Sequence, residues 1–84
     1  SNENEMEPIL LTIAPDGKFK EFEPSSSDTF AYVLSGSVKV RLGSAVYFAK
    51  AGETIYYQAS EEHQIENDCD TWSQLLLVVT DSYL

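Results

Sequence analysis

The stretch "YVLSGSVKVRLGSAVYFAKAGETIYYQ", residues 32–58, decides how this chain folds. In 37–42, Val38, Val40 and Leu42 alternate with Lys39 and Arg41, the two-residue period of a strand with one face in a core and the other in water. Gly43-Ser44 follows as a two-residue hairpin signal, because glycine reaches positive φ without steric cost and the primed turns match strand twist. Ser35-Gly36 is a similar tight corner. The run 45–49 departs from alternation: Val46 and Phe48 are as apolar as Ala45, Tyr47 and Ala49, so both of its faces need cover. A further strand, 54–58, places Ile55 and Tyr57 on one side.

Working outward, β-rich runs recur at 9–13, 18–23, 29–34, 63–66 and 73–80, and no window carries apolar residues at helical spacing. The reading is all-β and antiparallel, with eight strands, enough for a small barrel or sandwich. Asp16-Gly17 is a second hairpin signal, and 24–28 and 66–70 are polar loops. The run "LLLVV" (75–79) is apolar on both sides, as befits a strand between two layers or under a partner chain.

With 84 residues the chain is one domain, since half of it could not hold a core. Residues 1–8 read as a tag remnant and flexible lead-in, with Ser1-Asn2 resembling a protease scar, and 9–84 as the folded domain. The net charge is −9, from 14 acidic and five basic residues. Nucleic-acid binding needs a dense basic patch to neutralise phosphates, so this domain does not grip DNA or RNA itself. The longest apolar run is too short to span a bilayer, the opening "SNENEMEP" has neither the basic end nor the apolar run of a signal peptide, and no membrane partner is expected. Cys69 stands alone, which excludes an intrachain disulfide and fits a reducing cytoplasm.

"YVLSGSVKVRLG" together with "KAGETIYYQASEEHQIEN" resembles the pattern of the cupins, small double-stranded β-helix barrels of jelly-roll type. The second cupin motif runs from a turn glycine to a histidine and an asparagine four residues on, here Gly52, His63 and Asn67. The ending "LLLVVTDSYL" resembles the close of the cupin domain that follows a helix-turn-helix in XRE-type bacterial transcription regulators. The resemblance implies a C-terminal domain whose DNA reader lies N-terminal and is missing from this chain.

The departures from the family pattern bear on chemistry. Metal-binding cupins carry two histidines and a glutamate ahead of the motif that "YVLSG" matches. Here Thr29 takes the glutamate position and "FEPSSSD" precedes it, with Glu21, Glu23 and Asp28 nearby. A transition metal or zinc needs three or more well-placed ligands, so no metal and no cofactor are expected. Glu62 stands where the family usually has proline before the histidine. Ser25 to Ser27 beside Asp28 read as a loop, without the nucleophile elbow of a hydrolase.

His63 and Ile65 share one face of their strand, while Glu62, Gln64 and Glu66 share the other, so the imidazole looks into the barrel. Two readings of it stay open: a core histidine satisfied by its neighbours, or a ligand contact. The expected lining is His63, Tyr57, Thr29, Ala31 and Val40, with Trp72 and Gln74 closing one mouth. The expected function is an effector-sensing and dimerising regulator domain in the cytoplasm. It takes a small, largely apolar effector, pairs with itself, and reaches DNA only through the missing domain. The rivals are a metal-free cupin enzyme using His63 and Tyr57 in acid–base chemistry, and a purely structural dimer module. The dimer contact is expected at Val46 and Phe48, adjoining the two-faced 75–79 strand. Cover of that patch by the N-terminal strand is the alternative.

Overall fold

The computed structural model describes residues 6–19 and 27–80. Among the described residues seven strands follow one another: β1 (Glu7–Ile13), β2 (Asp28–Ser35), β3 (Ser37–Leu42), β4 (Ala45–Lys50), β5 (Thr54–Gln58), β6 (His63–Glu66) and β7 (Ser73–Val79). They form a four-stranded sheet in the order β1-β7-β2-β5 and a three-stranded sheet in the order β4-β3-β6. Every pairing is antiparallel. Among the described residues no helix is long and apolar enough to cross a membrane.

The inner faces of the two sheets meet in one core, and period-two alternation decides which side chains enter it. In β7, Leu75, Leu77 and Val79 point inward and are closed to solvent, opposite Ala31 and Val33 of β2. Val38 and Val40 of β3 and Ile65 of β6 supply the facing layer. The sheets are also tied by polar groups. The Ser73 hydroxyl donates to the Ser37 carbonyl at 2.6 Å and accepts the Ser37 N–H at 3.0 Å, joining β7 to β3. This contact sits beneath the Ser35-Gly36 corner, where the chain leaves one sheet for the other and Gly36 takes a φ of 74°.

Several local expectations are revised. Of the strand expected at 18–23, the described part is a single bridge from Lys18 to Glu66 and a hydrogen bond from the Phe19 N–H to the Ile65 carbonyl. Residues 20–23, including Glu21, lie outside the described residues, as do Ser25 and Ser26. β1 begins at Glu7 rather than at residue 9, so Glu7 and Pro8 belong to the strand. Proline is tolerated there because β1 is an edge strand and need not donate on both sides. At Asp16-Gly17 the positive φ belongs to Asp16, at 57°, not to the glycine. The turn closes from the Gly17 N–H to the Ala14 carbonyl, with Pro15 as its first central residue. It does not pair β1 with its sequence neighbour, because β1 pairs with β7.

β4 is an edge strand, and its register resolves the broken alternation. Val46 lies opposite Arg41 and Phe48 opposite Lys39, so both share the outer face of the three-stranded sheet, 40% and 68% exposed. The N-terminal strand does not cover them, since it belongs to the other sheet. Nor do they adjoin β7, which lies inside the four-stranded sheet; the apolar outer face of β7 is on the opposite side of the sandwich.

Candidate functional site

The residues expected to line the barrel come from four strands. Thr29 and Ala31 of β2, Val40 of β3, Tyr57 of β5 and His63 of β6 all face inward and are buried. Cross-strand pairing sets their order: Thr29 lies opposite Tyr57 and Ala31 opposite Ile55, while in the facing sheet Val40 lies opposite Ile65 and Leu42 opposite His63. The His63 and Tyr57 rings meet edge to face, with centroids 5.6 Å apart and planes at 65°, which joins the two sheets at this end.

The imidazole is 1% exposed, and its Nδ1 lies 3.0 Å from the Glu61 carbonyl. A carbonyl only accepts, so Nδ1 carries a proton and donates to it. The loop preceding His63 is held in turn by the Gly43 N–H, which donates to the Glu62 carbonyl at 2.8 Å. Glu62 thus occupies the usual proline position with its carbonyl satisfied.

Above this pair lies an open groove of about 410 Å³, lined by Leu42, Tyr47, Tyr56, Tyr57, Gln58 and Ser60. Only Tyr57 of the five expected lining residues borders it. Thr29, Ala31, Val40 and His63 do not line it and are closed to solvent. Sequence reasoning missed the remaining lining. Tyr47 was within reach, since it shares the inward parity of Ala45 and Ala49 and pairs with Val40. It is 45% exposed because β4 ends the sheet there. Gln58 and Ser60 carry no pattern that would single them out. Trp72, 61% exposed, borders neither this groove nor a smaller one near β1, and Gln74 lies on the outer face of its sheet, so neither closes the mouth.

No charged side chain lines the groove, although the chain carries a net charge of −9. Three phenol rings, an amide and a hydroxyl supply flat apolar surface with neutral hydrogen-bonding groups, the usual make-up of a small-molecule site. The donor set does not fit the metal centre of metal-binding cupins. Thr29 stands for the glutamate, and among the described residues no three His, Cys, Asp or Glu side chains gather where they could hold an ion.

Asn67, the last motif residue, has a structural place. It is 1% exposed, and its amide nitrogen donates to the carbonyls of Ile13, Ala14 and Thr71. Its carbonyl accepts the Cys69 N–H at 3.0 Å. The Cys69 sulfur in turn meets the Ser37 hydroxyl.

A two-sheeted antiparallel barrel with an imidazole facing inward from the second strand after a glycine turn is the arrangement of a cupin. Residues 9–80 match the family model described as the cupin domain, and the chain belongs to that family. Among curated proteins no sequence matches it. An HTH_3 family transcriptional regulator from Vibrio cholerae shares the fold with a TM-score of 0.83 at 15% identity. The alignment covers 98% of this chain and 46% of the regulator, so this chain spans less than half of that protein. The Cupin_2 domain of an XRE family transcriptional regulator from Enterobacter cloacae has a TM-score of 0.82 at 11% identity, over 93% of this chain and 83% of the other. A predicted oxalate decarboxylase from Thermotoga maritima has a TM-score of 0.76 at 20% identity, over 87% of this chain and 64% of that one. At such identities the likeness is one of fold.

Proposed function

We propose that this chain is the effector-sensing and dimerising domain of a bacterial transcription regulator, acting in the cytoplasm and reaching DNA through a helix-turn-helix on a separate domain. The observation that carries this reading is the uncharged tyrosine-lined groove, set in a barrel whose fold recurs in the cupin domain of an XRE family regulator. Desolvating an anion beside so acidic a chain is unfavourable, so the groove selects a small neutral molecule with a flat apolar part and a polar edge. Such a ligand rests on Tyr47 of β4 and Tyr57 of β5 and so touches both sheets. Its differential affinity for two arrangements of the paired domains then biases how their readers are presented. The groove volume falls within the usual range for small ligands, roughly 300 to 1,000 Å³.

In this reading the domain binds and does not catalyse. An acid–base enzyme on the same barrel would need His63 at its substrate, whereas the ring is buried and its Nδ1 is engaged by Glu61. The test is titration of the domain with phenol and indole, neutral probes of the expected class, and with benzoate as an anionic counterpart, followed by NMR. Phenol or indole should shift the Tyr47 and Tyr57 signals in a saturable manner, benzoate less, and Tyr47→Ala should weaken the response. If neither neutral probe moves these signals, effector sensing fails and the structural dimer module takes its place.

A further inference from the structure

The outer face of the four-stranded sheet carries a broad apolar centre. Cross-strand pairing lines up Pro8, Val78, Phe30 and Tyr56 in one row and Leu10, Leu76, Tyr32 and Thr54 in the next. Leu10 is 63% exposed, Tyr56 64%, and Phe30, Tyr32 and Leu34 between 37% and 43%. Of the outward positions on these four strands only Asp28, at one corner, carries a charge. The opposite face of the sandwich is different, with Lys39, Arg41 and Glu66 set among Val46 and Phe48.

We infer that this uncharged face is where a second copy of the chain packs, sheet against sheet about a two-fold axis. The inference rests on the dimerising part of the proposed function and names its surface. Three arguments select a second copy as the occupant. The first is charge: two chains of −9 repel through most of their surfaces, and a face whose described strands carry a single acid, at one corner, is where they meet at least cost. Among the described residues of its four strands, a basic partner would find a single outward carboxylate to answer it. The second is area. With roughly 200 Å² for an aromatic side chain, Phe30, Tyr32 and Tyr56 leave about 280 Å² open. Leu10, Leu34, Met6 and the half-exposed Leu76 and Val78 bring the patch to about 600 Å², the upper end for a lone monomer. Two such patches bury about 1,200 Å², which reaches the range of specific protein interfaces. The third is shape: a groove of about 220 Å³ on this face, walled by Met6, Phe30, Tyr56, Val78, Thr80 and Asp28, offers a socket for one large side chain of the facing copy.

Sedimentation of the domain across micromolar concentrations tests this, with circular dichroism as the check on folding. The wild-type chain should be a dimer. Tyr32→Glu, at the centre of the face, and Leu10→Asp, at its edge, should be monomers, with the dissociation constant raised at least about thirtyfold, the effect of losing one central interface residue. Phe48→Glu, on the opposite face, should remain a dimer. A wild-type monomer overturns both the inference and the dimerising function. A dimer that persists in Tyr32→Glu and dissociates in Phe48→Glu overturns the inference alone and moves the contact to β4. Should the charged variants fail to fold, dilution of the wild-type chain followed by NMR decides: changes at Leu10, Tyr32 and Leu76 support the assignment, and changes confined to β4 overturn it.

Discussion

Replacing Asn67 with alanine should cost this domain a large part of its stability, and the reason lies in the geometry of one amide. The Nδ2 group donates to the Thr71 carbonyl at 2.8 Å and shares its other hydrogen between the carbonyls of Ile13 at 3.1 Å and Ala14 at 3.2 Å. Oδ1 accepts the Cys69 N–H at 3.0 Å. All partners of the nitrogen are pure acceptors, which fixes the amide orientation. Asn67→Ala removes about three bonds, each worth about 1 kcal/mol net and more where the stranded group is buried. The Ile13 end is closed to solvent while Thr71 is exposed and Cys69 half-buried, so water re-satisfies some of the lost contacts. The expected loss is about 2–4 kcal/mol. A chain of this length typically has only about 4–13 kcal/mol in total. In thermal terms the loss lowers Tm by about 10–25 °C.

Urea unfolding followed by circular dichroism measures this directly, and Asn67→Asp separates the hydrogen-bond donor from the shape. The carboxylate introduced by that substitution faces three carbonyl oxygens, so its folded-state pKa is raised above the unfolded value. By linkage, the contribution of the introduced carboxyl group is most favourable below its unfolded pKa of about 3.9 and is lost as pH rises through the folded one. The gap between wild type and Asn67→Asp should therefore be wide at neutral pH and narrow on acidification. A loss below about 1 kcal/mol in Asn67→Ala, or an Asn67→Asp variant as stable as wild type at neutral pH, would refute the argument.

Glu66 supplies a second pH dependence with the opposite sense. Its burial raises the carboxyl pKa, but the hydrogen bond from Arg41 at 2.7 Å and the charges of Arg41, Lys39 and Lys18 outweigh that and hold it below the usual 4.5. A folded pKa lower than the unfolded one contributes stability above about pH 4.5 that disappears as pH falls through the folded value. Glu66→Gln should therefore be about 1–2 kcal/mol less stable at neutral pH, and its deficit in urea midpoint should shrink in acid; a constant gap counts against the ion pair. The two motif-region glycines should separate. At Gly36 a Cβ would strike the Ser73 side chain and lie 2.8 Å from the Trp72 carbonyl, while at Gly52 it would meet nothing within 4 Å. Both have positive φ, so Gly52→Ala should cost about 1–2 kcal/mol of backbone strain and Gly36→Ala clearly more. Equal losses in thermal melts would exclude the collision.

Strands β3, β5 and β6 were legible because each carries its own alternation: they could be assigned inner and outer faces residue by residue, and His63 was placed inward on that basis. The hairpin at Gly43-Ser44 was equally local. What could not be read depends on residues far apart in the chain. Asn67 stood out only through a family resemblance, because its partners Ile13 and Ala14 lie more than fifty positions away and no periodicity links them. Asp16 took the positive φ expected of its glycine neighbour because Pro15 leads that turn, and aspartate tolerates the left-handed region. The groove lining was hidden for a related reason. Tyr47 points inward by parity yet is exposed by its edge position, and edge position is set by sheet order, which a single strand does not reveal.

Sheet order also decides which apolar surface matters. Val46 and Phe48 drew attention because they break alternation within one strand, but Arg41 and Lys39 lie directly opposite them. Set among those cations, whose charged ends reach Glu66, Val46 and Phe48 belong to a mixed surface. β2 and β7 gave a weaker warning strand by strand, since aromatic and aliphatic outward residues are common singly. Only when the register sets Phe30 beside Val78 and Tyr32 beside Leu76, with Leu10 and Tyr56 flanking them, do the single residues merge into a continuous uncharged patch. Apolar alternation must therefore be scored on paired strands. On that footing an exposed phenylalanine beside a lysine counts for less than a half-exposed tyrosine beside a leucine, and it is this weighting that favours the four-stranded sheet over β4 in the proposed dimer.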